Sequence, residues 1–270
     1  MITSSYFPDK TFATKEHLFA EMIENRDAIL SMKKVERKSD SFGTILNTIP
    51  KLFSEKGMRM EENFIYPIIN TTMFMDSHDD VQMNNSWNKS VKEQQGRIYY
   101  LADHEMKVDK IIAHPQDVEM MLKPFTWKEL GFNYDGSTQA LIFKIGIENI
   151  KMPQALDIIK NKYPIQNSVR EKYIKVRFAV NSTSMDFKSE KEVWDEIYDQ
   201  IANKEYADNR GYFFAVDESK IVNESSMVLF GSNSATPLLQ KDIEAVTDTS
   251  RNEPSNDTQQ AKQFFINLLN

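Results

Sequence analysis

The chain has 270 residues, 40% of them hydrophobic and 11% aromatic, enough for one large domain with a real core, which excludes wholesale disorder. Its net charge of −7 excludes the basic footprint that sequence-independent nucleic-acid binding needs. It has no cysteine, which removes disulfides, thiolate nucleophiles and cysteine-type zinc sites together and fits a reducing, cytoplasmic setting.

No apolar run is long enough for a transmembrane helix. The first residues, "MITSSYFPDKTFATKEH", lack the basic-then-apolar pattern of a secretory signal, so neither export nor a membrane is expected. Only eight glycines occur, in neither a GxGxxG nor a GxxxxGK[ST] pattern. The usual phosphate-cradling loops therefore have no candidate, and no cofactor is expected.

Residues 12–36 read as one amphipathic helix. Thr14 is its N-cap, with Glu16 in the first turn. Leu18, Met22, Ile29 and Met32 form its apolar stripe, widened by Phe19 and Ile23. The helix is either a packing element or a docking arm, and "RKSDSFG" (37–43) reads as a linker. The expected organisation is an N-terminal helical arm and linker (1–43), a main domain (44–237) and a flexible tail (238–270).

Strands are expected at 64–70, 97–103, 107–114, 139–147, 172–180, 211–222 and 226–230, all rich in Ile, Val, Phe and Tyr. Two helices interrupt them. One has Pro153 at its first turn and Pro164 as its stop. The other, near 189–206, opens on Ser189 and Glu192 at capping-box spacing and buries Val193, Ile197 and Ile201. The polar stretch after Pro237 reads as a tail ending in a short helix from Asp257 onward.

Without cysteine, a nucleophilic site must use Ser, Thr or Lys. Of the four histidines, His17 reads as a surface residue and His114, before Pro115, as a turn residue. "MFMDSHDDVQ" (73–82) gathers Asp76, His78, Asp79 and Asp80. Adjacent residues on an extended chain point to opposite faces, so a metal site at His78, Asp79 and Asp80 is disfavoured against an Asx-type turn, and no metal is expected. His104 ends an apolar strand, a rigid platform that suits a general base. Ser168 stands at a helix-to-strand junction, and Glu224 precedes two serines in "VNESSMVLFGSN". A serine nucleophile needs both a base and an acid to orient that base, and the candidates for the acid are Glu224, Asp217 and Glu218.

Four stretches of the chain carry a family resemblance. "DSHDDVQMNNSWNKSV" resembles the early "GDV…PG.W..S" segment of the prohead proteases of tailed phages. "IYYLADHEMKVDKIIA" is similar to their strand ending in a catalytic histidine. "NSVREKYIKV" resembles their "SVG" nucleophile strand, and "ESSMVLFGSNSATP" their closing "E.S.V…SN..TP" segment. The resemblance spans about Asp9 to Pro237. It implies an α+β, mostly β fold: a closed antiparallel β-barrel of the herpesvirus-protease type, surrounded by helices, with helical terminal arms and an insertion near 189–206. It also implies a serine endopeptidase of capsid maturation, with Ser168 as nucleophile, His104 as general base and Glu224 as the acid.

The implied substrates and partners are phage scaffold protein, the major capsid protein and the chain itself, inside the assembling procapsid in the host cytoplasm. A homo-oligomer, with a dimer as one form, belongs to the same expectation. Two positions depart from the family pattern: Arg170 stands where the family has glycine, and "NNS" replaces "PG". Arg170 favours an alternative, a catalytically inactive capsid- or scaffold-binding protein on the same fold. His78 remains as a second-choice base.

Overall fold

The computed structural model describes residues 1–35, 37–38 and 60–240. The expected linker after residue 38 and the expected C-terminal helix from Asp257 lie outside the described residues. In chain order the elements are β1 (Ile2–Ser4), β2 (Phe7–Phe12), α1 (Lys15–Glu24), α2 (Arg26–Lys33), β3 (Arg37–Lys38), β4 (Phe64–Thr71), β5 (Asp80–Gln82) and α3 (Asn88–Gln94). They continue with β6 (Tyr99–Ala102), β7 (Ile111–Ala113), β8 (Glu119–Thr126), β9 (Ser137–Gly146), α4 (Pro153–Lys160), β10 (Gln166–Val180), α5 (Lys188–Ile197), α6 (Lys204–Arg210), β11 (Tyr212–Val228) and β12 (Leu238–Gln240).

Thr14 caps α1 as its sequence position suggests, its hydroxyl accepting from the His17 backbone N–H at 3.2 Å. The single helix expected over 12–36 is broken at Asn25, whose side-chain amide bonds the Glu21 carbonyl at 2.8 Å. A local side chain thus takes up a helix carbonyl, the competition that makes Asn a poor interior residue. Leu18, Phe19, Met22 and Ile29 are buried against Tyr173, Phe178, Tyr212 and Phe214 of the long strands. Met32, expected in that stripe, is 56% exposed, and Lys33 is buried instead. Met32 and Lys33, three and four residues from Ile29, both border its face, and the ion pair with Asp80 draws Lys33 inward. Of the two uses open to this segment, it takes the packing one.

β10 and β11 form the long antiparallel pair at the centre of the larger sheet. One edge of β10 also carries β3. The far edge of β11 is shared by two short parallel strands, β5 along its first half and β6 along its second, and β7 lies antiparallel to β6. The strands expected at 211–222 and 226–230 are therefore one strand with an irregularity between them. The polar "NESS" that reads as a break is the place where the site is built.

A second, antiparallel sheet has the order β12-β4-β9-β8. Ile65, Ile69, Leu141, Phe143 and Ile145 from its strands pack against Tyr100, Val169, Ile221 and Met227 of the larger sheet. The core is thus a layer between two sheets.

The closed antiparallel barrel implied by the family resemblance is not formed. Among the described residues no ladder joins the two sheets into a ring, and what links β10 to the other sheet's end is one isolated bridge, Gln166 to Pro237. Closure requires every strand to pair on both sides with a continuous stagger. Here β5 and β6 run parallel to β11 and share its edge, which makes the sheet mixed. The α+β class stands, with helices packed around the sheets. The expected tail does not begin at 238, because Leu238–Gln240 pairs with β4.

The helical insertion is α5 followed by α6, with Trp194, Ile197, Ile201 and Ala207 packed on Met73, Met75 and Phe213. The expected capping box at Ser189 and Glu192 does not form. The helix starts at Lys188, which puts Ser189 inside its first turn, and the Ser189 hydroxyl bonds Glu190 at 2.8 Å.

Candidate active site

His104 follows β6 in a tight turn. Asp103 and His104 both adopt left-handed backbone conformations, each with φ 54°. That region is uncommon for non-glycine residues and is enriched in Asn, Asp and His. The turn is held by three backbone donors. Asp103 N–H reaches the Met227 carbonyl at 2.9 Å, Glu105 N–H reaches the Ala102 carbonyl at 3.1 Å, and His104 N–H reaches Ser226 Oγ at 3.1 Å. The turn delivers the imidazole into the protein, where His104 is 1% exposed.

Glu224 is aimed by an irregularity in β11. The ladder pairs Val169 with Ser225 and Glu171 with Ile221, so Val222, Asn223 and Glu224 stand opposite Arg170 alone. Asn223 takes φ 64°. Bulges of this kind re-aim a side chain and concentrate near functional sites. Glu224 Oε1 lies 2.7 Å from His104 Nδ1, with both side chains fully buried. Its other oxygen, Oε2, accepts from Ser226 Oγ at 2.7 Å.

Ser168 sits on β10 directly across from Ser226. Residues paired across an antiparallel ladder share a face, and so do residues two apart on a strand. Ser168, Ser226 and Glu224 therefore occupy one face at neighbouring positions. Ser168 is 3% exposed.

The backbone around Ser168 is clamped by the "SNSATP" segment. Thr236 Oγ1 donates to the Asn167 carbonyl at 2.6 Å, and the Asn167 side-chain amide donates to the Thr236 carbonyl at 3.0 Å. The Tyr100 hydroxyl donates to Asn167 Oδ1 at 2.6 Å, and burial pushes this phenol's pKa up, which keeps it a neutral donor. Gly231 passes close by. A Cβ placed there would stand 3.1 Å from the Asn167 carbonyl and 3.6 Å from Ser168 Cβ.

Arg170 lies two residues beyond Ser168 and on its face of the strand. Its Nη1 is 3.0 Å from the sulfur of Met106, two residues past His104. Arg170 does not take a left-handed φ, so the backbone here does not require glycine.

The other candidates are engaged elsewhere. Asp217 accepts two bonds from Arg177, both at 2.9 Å, and Glu218 pairs with Lys89 at 3.5 Å. His17 is exposed on α1, and His114 precedes a 3-10 turn at Pro115–Asp117.

"MFMDSHDDVQ" forms a turn. Asp76 Oδ1 accepts from the backbone N–H groups of His78 and Asp80, each at 2.9 Å, the Asx arrangement expected from its composition. Asp79 pairs with Arg210 at 2.8 Å and accepts from the Tyr212 hydroxyl at 2.9 Å. Asp80 forms a buried ion pair with Lys33 and accepts from Tyr173 at 3.0 Å. Among the described residues no three His, Cys, Asp or Glu side chains converge as a metal-binding group.

Ser226 is the site residue that the sequence reading passed over. Its signal was the E-x-S spacing on one strand, which places a hydroxyl beside the carboxylate on the same face.

Comparison with protein-family models, with curated proteins and with solved structures gives no match for this chain.

Proposed function

We propose that the chain is a serine endopeptidase using Ser168, His104 and Glu224. The observation that carries this reading is the buried 2.7 Å contact of Glu224 with His104, held on the face where Ser168 lies across from Ser226. A buried carboxylate bonded to Nδ1 orients the ring and stabilises the imidazolium that forms during acyl transfer. The His104 ring accepts the Ser168 proton as Oγ attacks a peptide carbonyl, then returns it to the leaving amine. Water repeats the cycle on the acyl-enzyme, with His104 again as base. Arg170, two residues along the same face, is the cation nearest in sequence to a developing oxyanion.

The segments resembling the prohead proteases, not a barrel, support capsid maturation as the setting. On that reading the substrates are scaffold protein, the major capsid protein and the chain itself, cleaved within the procapsid in the host cytoplasm by a homo-oligomeric enzyme. The low exposure of Ser168 favours a second reading, a non-catalytic capsid- or scaffold-binding protein.

A fluorophosphonate probe separates the two. Labelling of the wild type that is lost in Ser168→Ala and insensitive to chelator supports the peptidase. A wild type that stays unlabelled under conditions that label a control hydrolase sinks it.

A further inference from the structure

We infer that Ser226 is a positioning residue that sets the tautomer of His104, an inference that rests on reading His104 as the general base. Three hydrogen bonds close a ring through its hydroxyl. His104 N–H donates to Ser226 Oγ at 3.1 Å, Ser226 Oγ donates to Glu224 Oε2 at 2.7 Å, and Glu224 Oε1 meets His104 Nδ1 at 2.7 Å. All three residues are buried.

The direction of the ring follows from its one fixed member. A backbone amide can only donate, so Ser226 Oγ must accept there. A hydroxyl has one proton, and with that acceptance made, the proton goes to Glu224 Oε2. With Oε2 accepting from Ser226, Oε1 is the oxygen left to meet Nδ1. A carboxylate accepts at both oxygens, so Nδ1 carries the proton, and in the neutral ring Nε2 holds the lone pair. Nε2 is the nitrogen a base needs for the serine proton. The turn after β6, the carboxylate and the ring are thus coupled through one hydroxyl, and bonds in such a chain strengthen one another.

The same residue also sets distance. Ser226 faces Ser168 across the β10–β11 ladder, so the group that orients the base and the proposed nucleophile share one rung. The Ser226 bond fixes the second oxygen of Glu224, which the Nδ1 contact by itself leaves without a partner. Without the Ser226 hydroxyl, both the carboxylate and the His104 amide lose a partner in a dry site.

The test uses the full chain with 15N-labelled histidine and two readouts. Nitrogen shifts report the tautomer of His104, assigned by comparison with His104→Gln, and the fluorophosphonate labelling rate reports reactivity of Ser168. Wild type is expected as the Nδ1–H tautomer with a low-field Nδ1 proton. Ser226→Ala is expected to broaden or lose that proton, populate the Nε2–H form and slow labelling about ten- to a hundredfold. Ser226→Thr, which keeps the hydroxyl, is expected nearer wild type in both.

An Nε2–H tautomer in the wild type overturns the inference without any variant, so a variant that fails to fold leaves it testable. Equal defects in Ser226→Ala and Ser226→Thr, or a normal tautomer in Ser226→Ala, also overturn it. Absence of labelling in the wild type sinks the peptidase reading alone, because the nitrogen shifts still judge Ser226.

Discussion

Replacing Lys33 with Met tests whether the Asp-rich turn is a structural clasp. Met keeps the length of the stem and removes the ammonium. Lys33 and Asp80 have 2% and 1% of their side-chain surface exposed. The ammonium also donates to the His78 carbonyl at 2.8 Å and stands 4.1 Å from the centre of the Phe214 ring. Lys33→Met therefore strands a carboxylate in a dry interior. Breaking one side of such a pair costs about 3–5 kcal/mol. Against a total stability on the order of 5–15 kcal/mol the variant still folds. Its melting temperature should fall by roughly 6–20 °C at about 2–4 °C per kcal/mol for a domain of this size.

Asp80→Asn in the wild type should cost a comparable amount, since it leaves the ammonium buried. The double variant Lys33→Met/Asp80→Asn buries no ion and should cost about as much as either single change. The cycle then yields a coupling energy on the order of 3 kcal/mol. Urea unfolding of the four proteins, with unchanged m-values, measures it. Single losses under about 1 kcal/mol that simply add would place the pair with exposed ion pairs and refute the clasp.

Three further outcomes follow from the same geometry. Glu224→Gln should lower the Ser168 labelling rate by about ten thousandfold, because the Ser226 hydroxyl takes the amide oxygen and turns the NH2 toward Nδ1, the wrong tautomer for a base; a rate within threefold of wild type would contradict the role. Asn223→Val should cost about 1–2 kcal/mol in urea unfolding and slow labelling, since a β-branched residue resists φ 64°, while Asn223→Gly should be tolerated.

Asp79 bears on pH. Burial raises its pKa above the ordinary 3.8, outweighing the lowering by Arg210, Tyr212 and Lys33, with Asp80 adding to the rise. The folded state then holds more protons than the unfolded state just above pH 3.8, so this group's contribution to stability falls as pH rises through that window. Asp79→Asn should accordingly compare better with wild type at neutral pH than near pH 4 by urea unfolding. A difference that is constant with pH would remove Asp79 from the account.

Local chemistry alone specified several elements of this protein. Thr14 before an acidic turn marks the start of α1, and Pro153 starts α4. Runs of β-branched and aromatic residues mark β4, β9 and the cores of β10 and β11, because propensity and alternation act over a few neighbouring residues. The same logic placed His104 at a strand end and Ser168 at a strand start. It missed β1, β2, β3, β5, β8, β12 and α3. Six of these are only two to seven residues long, and β8, though longer, carries Lys123 and Pro124 among its apolar residues.

Tertiary structure decided the rest. Lys33, not Met32, is buried, since Asp80 and Phe214 come from distant sequence to receive it. The sheets stay open where the family pattern implied a barrel, because pairing between strands is set by long-range register. Glu224 is the acid that meets His104, whereas Asp217 and Glu218 go to Arg177 and Lys89. That choice depends on a bulge opposite Arg170 and a left-handed Asn223, which turn one carboxylate among three inward. No spacing in the chain distinguishes the three, since which strand face each acid occupies follows from the pairing register.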